Sequence, residues 1–353
     1  MVMSMYYKIR AFYEQGIEVI LHAFYKEFKA PEELTAICKV VYLYPRKAMW
    51  KIKNLSLPLY MQSRRSDQLV DLLSKDDAPV LFEGLHTLYH LNDPGIAHKR
   101  RYVCMHNVES EYYQQLNRYE TNAFKKYYYF LESRLSRHAE SHLLPVVNGI
   151  FCLSSIETTA LLSLNEQTFW IPPFIDQAIC CKNGLGKYAL YHGDLSVKEN
   201  ELGVGFLSEE IFKELDIPLV IAGYRPSSAL KNKLRHHTNV TLVESPSMQV
   251  MDQLIEDAQV ILAPFRHITG YKMKLLQSIT KGRHIIASEI AQSYTELKDV
   301  LHFADNPEEW KHTLLELKHK PFTEADIEKR KLLISTVFNN KNQADRMMEI
   351  MFA

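Results

Sequence analysis

Two lysines, Lys272 and Lys274, follow a glycine at the predicted start of a helix, where unpaired backbone N–H groups attract anions. The segment Val260–Ser288 predicts an apolar strand, a short turn, and then a helix that Gly270 opens. We expect this helix to stop at Gly282, where a second apolar strand follows. The pattern is typical of a phosphate or diphosphate site. The alternative is an ordinary βαβ unit with solvated lysines.

Two further strand ends in the second half of the chain offer groups that a nucleotide could use. Gly193 and Asp194 follow one predicted strand, and a glycine there lets the backbone approach a phosphate closely. Another strand ends in small polar residues, Val243–Met248, which suit recognition of a nucleobase by backbone groups. Because ligands bind beyond the carboxyl ends of parallel strands, we expect the three turns to converge on one nucleotide. Each turn taken alone is an ordinary polar loop.

Side chains suited to proton transfer and hydroxyl recognition follow two predicted strands of the first half. Glu83 and His86 come after one strand, and His106, Asn107 and Glu109 come after the next. A histidine can donate to or accept from a sugar hydroxyl or phosphate, and a carboxylate can orient a hydroxyl. The alternative for both glutamates is a structural role, such as charging the first turn of a helix.

Several kinds of site are not predicted. The sequence has no DxD pair, no GxxxxGK[ST] and no GxSxG, so we expect no carboxylate-held metal, P-loop or nucleophile elbow. The 42 basic and 42 acidic residues balance, so nothing steers the chain towards nucleic acid. The five cysteines lack CxxC spacing, and no apolar run approaches the ~20 residues that span a bilayer. A reducing cytoplasm is the expected compartment.

Helices and apolar strands are predicted to alternate along both halves of the chain, which implies parallel sheets. The predicted strands are Ile17–Ala23, Val40–Tyr44, Pro79–Phe82, Tyr102–Met105, Gly149–Leu153, Tyr188–Tyr191, Leu219–Ala222, Val240–Leu242, Val260–Ala263 and Ile285–Ala287. The main predicted helices are Tyr6–Gln15, Ser110–His142, Glu199–Leu215, Ser228–His236, Met248–Asp257, Tyr271–Thr280, Glu324–Asn339 and Gln343–Met351. The fold class is therefore α/β, with two Rossmann-like, doubly wound domains facing a cleft.

The domain boundary is predicted from two prolines in Phe169–Asp176 and the variable stretch Gln177–Lys187. We place the first domain at residues 1–177, the second at 178–325, and helices that pack back across the linker at 326–353. Only Met1–Met5 precede the first predicted helix. The strand and glycine turn that normally begin such a domain are therefore expected to be missing or to lie upstream.

Two basic segments allow a second kind of contact. Lys125–Phe130, followed by Arg134 and Arg137, forms a basic aromatic face that either lies on an anionic membrane or is the solvated side of a long helix. The basic run from Arg46 to Lys53 has the same two interpretations, and could also serve an anionic or lipid-linked acceptor.

The chain resembles the retaining GT-B glycosyltransferases of the group-1, or family 4, type. The resemblance covers most of the chain and is strongest from Tyr188 to Ser288. YHGDLSVKENELGVGFL looks like the first strand–loop–helix of the donor domain, and NVTLVESPSMQVMDQLIEDAQVILAP looks like the strands around the base and diphosphate. ITGYKMKLLQSITKGRHIIAS looks like the segment that grips the donor with a G-x-K element. LFEGLH and HNVESEYY resemble the acceptor domain of bacterial cell-surface polysaccharide transferases.

The resemblance implies a hexosyltransferase that moves a sugar from a nucleoside-diphosphate sugar to a hydroxyl of a glycan or lipid-linked acceptor, with retention. It implies cell-surface polysaccharide or glycolipid synthesis in the cytoplasm, at the inner face of the membrane, with neither metal nor cofactor beyond the donor. The alternatives are a catalytically impaired nucleotide-sugar-binding protein of the same fold and, less well matched, a sugar-nucleotide epimerase.

The resemblance also implies a role for individual residues. Lys272 stabilises the departing diphosphate, with Lys274 second because positions i and i+2 do not share a helix face. His106 binds the transferred sugar, and the paired glutamates of the family fall on Thr269 and Gln277. The implied catalytic residues are His106, Glu109 and Lys272. The implied donor-binding residues are Gly193, Asp194, Glu244, Ser245, Ser247, Thr269, Gly270, Tyr271, Lys272, Lys274 and Gln277. On the acceptor side are Glu83, His86 and Asn107.

Overall fold

The computed structural model describes residues 2–25, 32–48 and 56–353, and the structural statements below concern these residues. The chain divides into two compact units. The first contains Met1–Ile175, Thr269–Tyr271 and Phe338–Ala353, and the second contains Asp176–Ile268 and Lys272–Val337. The assignment of one domain to the acceptor and one to the donor stays a prediction.

The first unit alternates helices with parallel strands. Its strands form a two-stranded sheet, β1-β2, and a four-stranded sheet of order β3-β4-β5-β6. The strands are β1 (Ile20–Tyr25), β2 (Val40–Pro45), β3 (Val80–Glu83), β4 (Arg101–Met105), β5 (Gly149–Cys152) and β6 (Thr168–Trp170). The helices are α1 (Val2–Glu14), α2 (Glu32–Ile37), α3 (Leu59–Gln62), α4 (Asp67–Leu73), α5 (Glu109–Tyr119), α6 (Ala123–Leu143) and α7 (Ser155–Leu161).

The second unit has one parallel sheet of six strands in the order β12-β11-β10-β7-β8-β9. Its strands are β7 (Ala189–Asp194), β8 (Leu219–Tyr224), β9 (Val240–Glu244), β10 (Val260–Ala263), β11 (His284–Ser288) and β12 (His302–Ala304). Its helices are α8 (Lys198–Phe206), α9 (Ser228–Leu234), α10 (Met248–Asp257), α11 (Met273–Lys281), α12 (Pro307–Lys318) and α13 (Glu324–Thr336). The predicted α/β fold class with parallel sheets is confirmed.

The local sequence explains which face of α1 is buried and where this helix ends. Ser4, Lys8, Ala11 and Phe12 recur at helical spacing and are the buried face of α1. Gly16 then adopts φ +77°, a left-handed conformation that glycine accepts without strain, and α1 stops. The predicted helix is present and ends before Gly16, but it begins at Val2 rather than Tyr6, so the prediction that Met1–Met5 precede it is wrong. The strand β1 begins at residue 20 rather than 17.

The prediction of a single long helix over Ser110–His142 is wrong, because a non-helical turn separates α5 from α6. Glu120 is extended, and its carboxylate accepts hydrogen bonds from the backbone N–H groups of the next two residues. Asn122 then caps α6 by accepting from the N–H groups of Phe124 and Lys125, each at 3.1 Å. An amide side chain that caps the second helix offers the backbone an alternative to continued helix.

The final helix, α14 (Asn340–Phe352), belongs to the first unit. It packs against α1, and the hydroxyl of Tyr102 donates to the carbonyl of Ile350 at 3.0 Å. Arg346 donates to the carbonyl of Trp170, and Arg100 donates to the carbonyl of the C-terminal residue. The last fifteen or so residues therefore complete the first unit.

Candidate functional site

The strand order of the second unit places β7 and β10 side by side in its sheet. From β7 the chain continues outward to β8 and β9, and from β10 it continues the other way to β11 and β12. In doubly wound sheets, ligands bind beyond the carboxyl ends of the two strands where the order reverses. Here those ends are Asp194 and Ala263.

Both lysines of the predicted anion site follow β10 and lie at the start of α11. Lys272 is the N-cap residue and Lys274 lies in the first turn. The ammonium of Lys274 is 4.8 Å from the ring centroids of both Tyr191 and Phe265, and that of Lys272 is 5.6 Å from the Phe265 ring. The two side chains thus converge. The prediction that they point to different helix faces is wrong because Lys272 precedes the helix.

The electrostatics of this pair favour an anion. Burial and the charge of Lys272 lower the pKa of Lys274 to about 7, while Glu199 acts in the opposite direction. The Oε2 atom of Glu199 itself lies 3.3 Å from His267 Nε2. Beneath Lys274, the Tyr191 hydroxyl is buried and has no hydrogen-bond partner among the described residues. A diphosphate at this point would return Lys274 to its charged form.

Gly270 does not open α11 as predicted, because the helix begins at Met273, and its contact with a donor stays a prediction. Gly270 adopts φ +62°, and its N–H donates to Glu157 Oε1 at 2.8 Å within the first unit. A Cβ at this position would lie 2.2 Å from Asn107 Oδ1 and 2.4 Å from the carbonyl oxygen of His106. A glycine is therefore required here for close packing, and its N–H is already used.

The next two residues are also engaged. The ring of Tyr271 is buried and packs edge-on against Phe338, with centroids 5.9 Å apart. The backbone N–H of Lys272 donates to the Tyr294 hydroxyl at 3.1 Å. Anion binding by backbone N–H groups would therefore fall to Met273 and Lys274, the first two residues of α11, since the N–H of Leu275 donates to the carbonyl of Lys272 at 2.8 Å.

The first predicted donor loop lies beside this point. Gly193 pairs with Gly223 across β7 and β8, and a Cβ on Gly193 would touch the Tyr191 hydroxyl at 3.3 Å. The carboxylate of Asp194 accepts from the N–H and the hydroxyl of Ser196, a turn that leads into α8. Asp194 thus organises the loop, and contact with a donor stays a prediction.

The predicted base-recognition residues follow β9, an edge strand two positions from β7. Glu244 is ion-paired with Lys231, and the Ser247 hydroxyl caps α10 by accepting from Val250 N–H. Ser245 adopts φ +46°, which is strained for a residue with a side chain. These side chains have structural roles, and their contact with a base stays a prediction.

The two positions of the family glutamates are separated between the units. Thr269 belongs to the first unit and is half-buried. Gln277 lies in α11, and its amide donates to Asp252 of α10 at 3.2 Å. Neither side chain is a carboxylate, so neither can carry the negative charge of the family glutamates.

In the first unit, α1 and the ends of β3 and β4 bring four side chains together. His106 Nε2 lies 2.9 Å from Glu83 Oε2, and Lys8 Nζ lies 2.6 Å from Glu83 Oε1 and 3.2 Å from Cys104 Sγ. Burial alone would raise the pKa of Glu83, but the charge of Lys8 and the hydrogen bond from His106 lower it to about 2. Glu83 is therefore an anion that orients His106.

Glu83, Cys104 and His106 also place three ligand atoms within 4.8 Å of one another, a spacing that a metal ion could use. The ammonium of Lys8 contacts two of these groups. A lysine carries a positive charge and only donors, so it supplies the cation that the cluster needs. The residues present do not fit a metal at this point.

The other predicted side chains of this unit follow the same two strands. Gly84 has φ +81°, and a Cβ there would meet the His86 ring at 2.8 Å and His106 Cδ2 at 3.4 Å. Burial lowers the pKa of His86 to about 3, so that its ring is neutral at pH 7. Glu109 begins α5, is buried, and interacts with the Asn107 side chain. Burial and the charge of Glu140 raise its pKa to about 7.

Sequence reasoning missed Lys8, Tyr191, Phe265 and Glu157. A signal for Lys8 was present, because it is a lysine on the apolar face of an amphipathic helix. Glu157 follows the N-cap Ser154 and resembles an ordinary helix-start acid. Its Oε1 instead accepts from Val108 N–H at 3.0 Å and from Gly270, which no local pattern reveals.

Comparison with known proteins identifies solved structures that share the fold of this chain. No protein-family model matches the chain, and no curated protein sequence matches it. Sucrose-phosphate synthase from Thermosynechococcus elongatus is similar at 11% identity and TM-score 0.68, over 97% of this chain and 90% of that one. HepE of Anabaena, solved with UDP and glucose, is similar at 10% identity and TM-score 0.66, over 99% and 95%.

TarM of S. aureus is similar at 14% identity and TM-score 0.62, over 80% of this chain but only 57% of its own, so the chain spans just over half of it. At these identities the likeness establishes the fold. The alternation of helices with parallel strands in both units agrees with it. The chain has the GT-B fold that these glycosyltransferases share.

Proposed function

We propose that this protein is a glycosyltransferase that moves a hexosyl group from a nucleoside-diphosphate sugar to an acceptor hydroxyl with retention of configuration. The observation that carries the proposal is the Lys272–Lys274 pair, which lies after β10 at the reversal point of the second sheet. Solved proteins of the same fold support it, since the HepE structure holds UDP and glucose.

In this proposal, the two ammonium groups stabilise the negative charge that develops on the leaving diphosphate. Their positive charge replaces a divalent cation in that role, and no cofactor other than the sugar nucleotide takes part. Lys274 is the more important of the two, because it lies over the rings of both Tyr191 and Phe265, and burial there lowers its pKa to about 7. This reverses the order that the sequence suggested.

His106, held by Glu83, binds the transferred sugar in this proposal. If the Nε2–H group donates to the carboxylate, a neutral ring leaves Nδ1 as the hydrogen-bond acceptor. Glu109, whose pKa is raised to about 7, can both donate and accept a proton near neutral pH. We propose a glycan or lipid-linked acceptor, a role in cell-surface polysaccharide or glycolipid synthesis, and a cytoplasmic location at the membrane surface.

A second function has specific support. Gln277 is tied to Asp252, and Thr269 is not a carboxylate. A chain that binds a nucleotide sugar without efficient turnover would explain both features. Binding and turnover separate the two functions, because only the transferase releases free nucleoside diphosphate as the donor is consumed.

The test is calorimetric titration with UDP-, GDP- and dTDP-sugars, followed by an assay for released nucleoside diphosphate. We expect Lys274→Met to weaken donor binding by about a hundredfold, and Lys272→Met by about tenfold, because each removes a charge-assisted contact of roughly 1.5–3 kcal/mol.

Lys281→Met is the matched control, because Lys281 lies at the other end of the same helix and pairs with Asp252. Equal affinity in the wild type and both site variants would overturn the site. Binding without turnover of any donor would leave the non-catalytic function.

A further inference from the structure

The hairpin of α5 and α6 exposes large aromatic side chains near its tip. Phe124 is 88% exposed, Tyr127 64% and Phe130 45%. Single exposed apolar residues are common, but neighbouring rings on one helix form a patch that water solvates poorly. Phe124 has the highest exposure of any large hydrophobic side chain among the described residues.

These side chains lie on the face of α6 that the hairpin leaves open. Phe124, Tyr127, Leu131 and Arg134 recur at spacings of three and four, which places them on one side of the helix. The partly buried rings of Tyr128 and Tyr129 instead meet Tyr113 of α5. Packing within the hairpin therefore uses other residues, and the patch is left to solvent.

The exposed ionised side chains of α6 have charge of one sign: Arg134 and Arg137 lie on the side of the exposed rings, and Lys125 and Lys126 lie in the first turn next to Phe124. Its acids, Glu132 and Glu140, are buried and accept from the backbone N–H groups of Leu59 and Ser110. The guanidinium of Arg134 lies 5.3 Å from the Phe130 ring, so cation and aromatic share one surface.

The neighbouring acids do not neutralise this face. Glu120, at the tip, uses one carboxylate oxygen to accept from the two following N–H groups. Glu111 on α5 is exposed. Glu111 and Glu120 are the two acids of the hairpin that are not buried. Against these two acids stand Arg118 of α5 and the four cations of α6, so the hairpin surface is net positive.

We propose that this face of α6 docks the protein peripherally on an anionic lipid bilayer. Aromatic rings settle at the boundary between headgroups and acyl chains, and flanking lysines and arginines bind lipid phosphates. The charge of the face argues for this occupant, because cations that alternate with exposed rings complement an anionic interface. None of the helices in the described part of the chain is long and apolar enough to span a membrane.

This inference does not depend on the nucleotide site, which lies in the other unit. Its test is co-sedimentation with vesicles of phosphatidylcholine alone or mixed with phosphatidylglycerol, at low and high salt. We expect binding to the anionic vesicles that high salt weakens, and little binding to the neutral ones.

Two double variants separate the contributions. Lys125→Glu with Lys126→Glu should reduce binding to anionic vesicles by about tenfold or more, since each cation near such a surface contributes roughly 1 kcal/mol. Phe124→Ser with Tyr127→Ser should reduce it by at least about tenfold through lost apolar contact. Leu332→Ser is the matched control, because Leu332 is 64% exposed on α13 of the other unit.

All four side chains to be changed are exposed, so the variants should keep the far-ultraviolet circular dichroism of the wild type. Equal binding of wild type and variants to anionic vesicles, or no binding to any vesicle, would overturn the proposal. So would a concentration-dependent self-association that Phe124→Ser with Tyr127→Ser abolishes, because it would assign the face to a second copy of the chain.

Discussion

At the scale of single residues, charge partners decide what each site can do. Glu83 is held ionised by Lys8 on one side and contacts His106 on the other. Burial by itself would lower the pKa of Lys8, but its contact with Cys104 and the charge of Glu83 raise it. Lys8 is therefore a positioning residue that acts on His106 through the carboxylate.

Lys8→Met should raise the pKa of Glu83 well above its present value of about 2, because its main favourable charge is removed. A carbon-13 NMR titration of the Glu83 carboxyl measures this change. The variant should also lose about 3 kcal/mol of stability, as is usual when one partner of a buried ion pair is removed. Lys39→Met, which breaks the exposed pair with Glu18, should change neither quantity. An unchanged Glu83 titration would contradict the network.

Donor binding should depend on pH through Lys274. Its pKa is about 7 without ligand, and an anion stabilises the charged form, so binding above pH 7 must take up a proton. We expect affinity for a nucleoside-diphosphate sugar to fall by up to about tenfold per pH unit above 7. Calorimetry in buffers of different ionisation enthalpy measures the proton uptake. Lys274→Arg should abolish it, since arginine stays charged. Proton uptake in that variant equal to the wild type would assign it to another group.

Glu157 should make the folded state less stable as pH rises. Burial raises its pKa to about 7 from an ordinary 4.5, so its favourable contribution is complete below about pH 4.5 and is lost as pH rises through 7. Glu157→Gln, which mimics the protonated acid, should gain up to about 3 kcal/mol over the wild type at alkaline pH and little at pH 5. Urea denaturation at both pH values tests this. The same difference at both values would refute the assignment.

At the scale of elements, turns decide where side chains point. The start of α11 at Met273 turns Lys272 into a capping residue and brings its ammonium near that of Lys274. The break after α5 gives α6 its own start and leaves Phe124 near the tip of a hairpin. In both places a shift of a few residues in the helix boundary changes the chemistry of the surface.

Gly270→Ala tests the close packing of its segment. A methyl group there would overlap Asn107 and the His106 carbonyl, in addition to the strain of φ +62°. We expect a loss of about 3 kcal/mol or more, against roughly 1 kcal/mol for Gly16→Ala. Gly16 is the matched control in the same unit, since its φ is +77° and no atom lies within 4 Å of the added methyl. Chemical denaturation measures both, and equal losses would mean that only backbone strain matters.

At the scale of the whole molecule, the first unit is built from distant parts of the chain. The segment Phe338–Ala353 belongs to the first unit, although about half of the sequence separates it from Met1–Ile175. A chain that ends at Val337 should therefore lose the contacts of α14 with α1 and Tyr102. We expect limited proteolysis to cut residues 1–175 of this shortened chain first, while residues 176–337 persist. Equal protection of both parts would contradict this division.

The fold was predictable from the sequence because its signals are local. Apolar runs of four to six residues and amphipathic helices repeat along the chain, and α10 and β10 have the predicted bounds. The strand β12 was missed, since three residues make a weak strand signal, and the helix α12 that follows it was missed as well. The basic run from Arg46 to Lys53 lies partly outside the described residues, and its membrane role stays a prediction.

The α/β class, the parallel strands, the polar residues at strand ends and the lysine pair after β10 all follow from local sequence patterns. The positions of Lys274 over Tyr191, of Lys8 against Glu83 and of Gly270 against the His106 carbonyl depend on the folded chain. The physical reason is range: periodicity and capping act between neighbours in sequence, whereas burial, ion pairing and pKa values arise between residues tens to hundreds of positions apart.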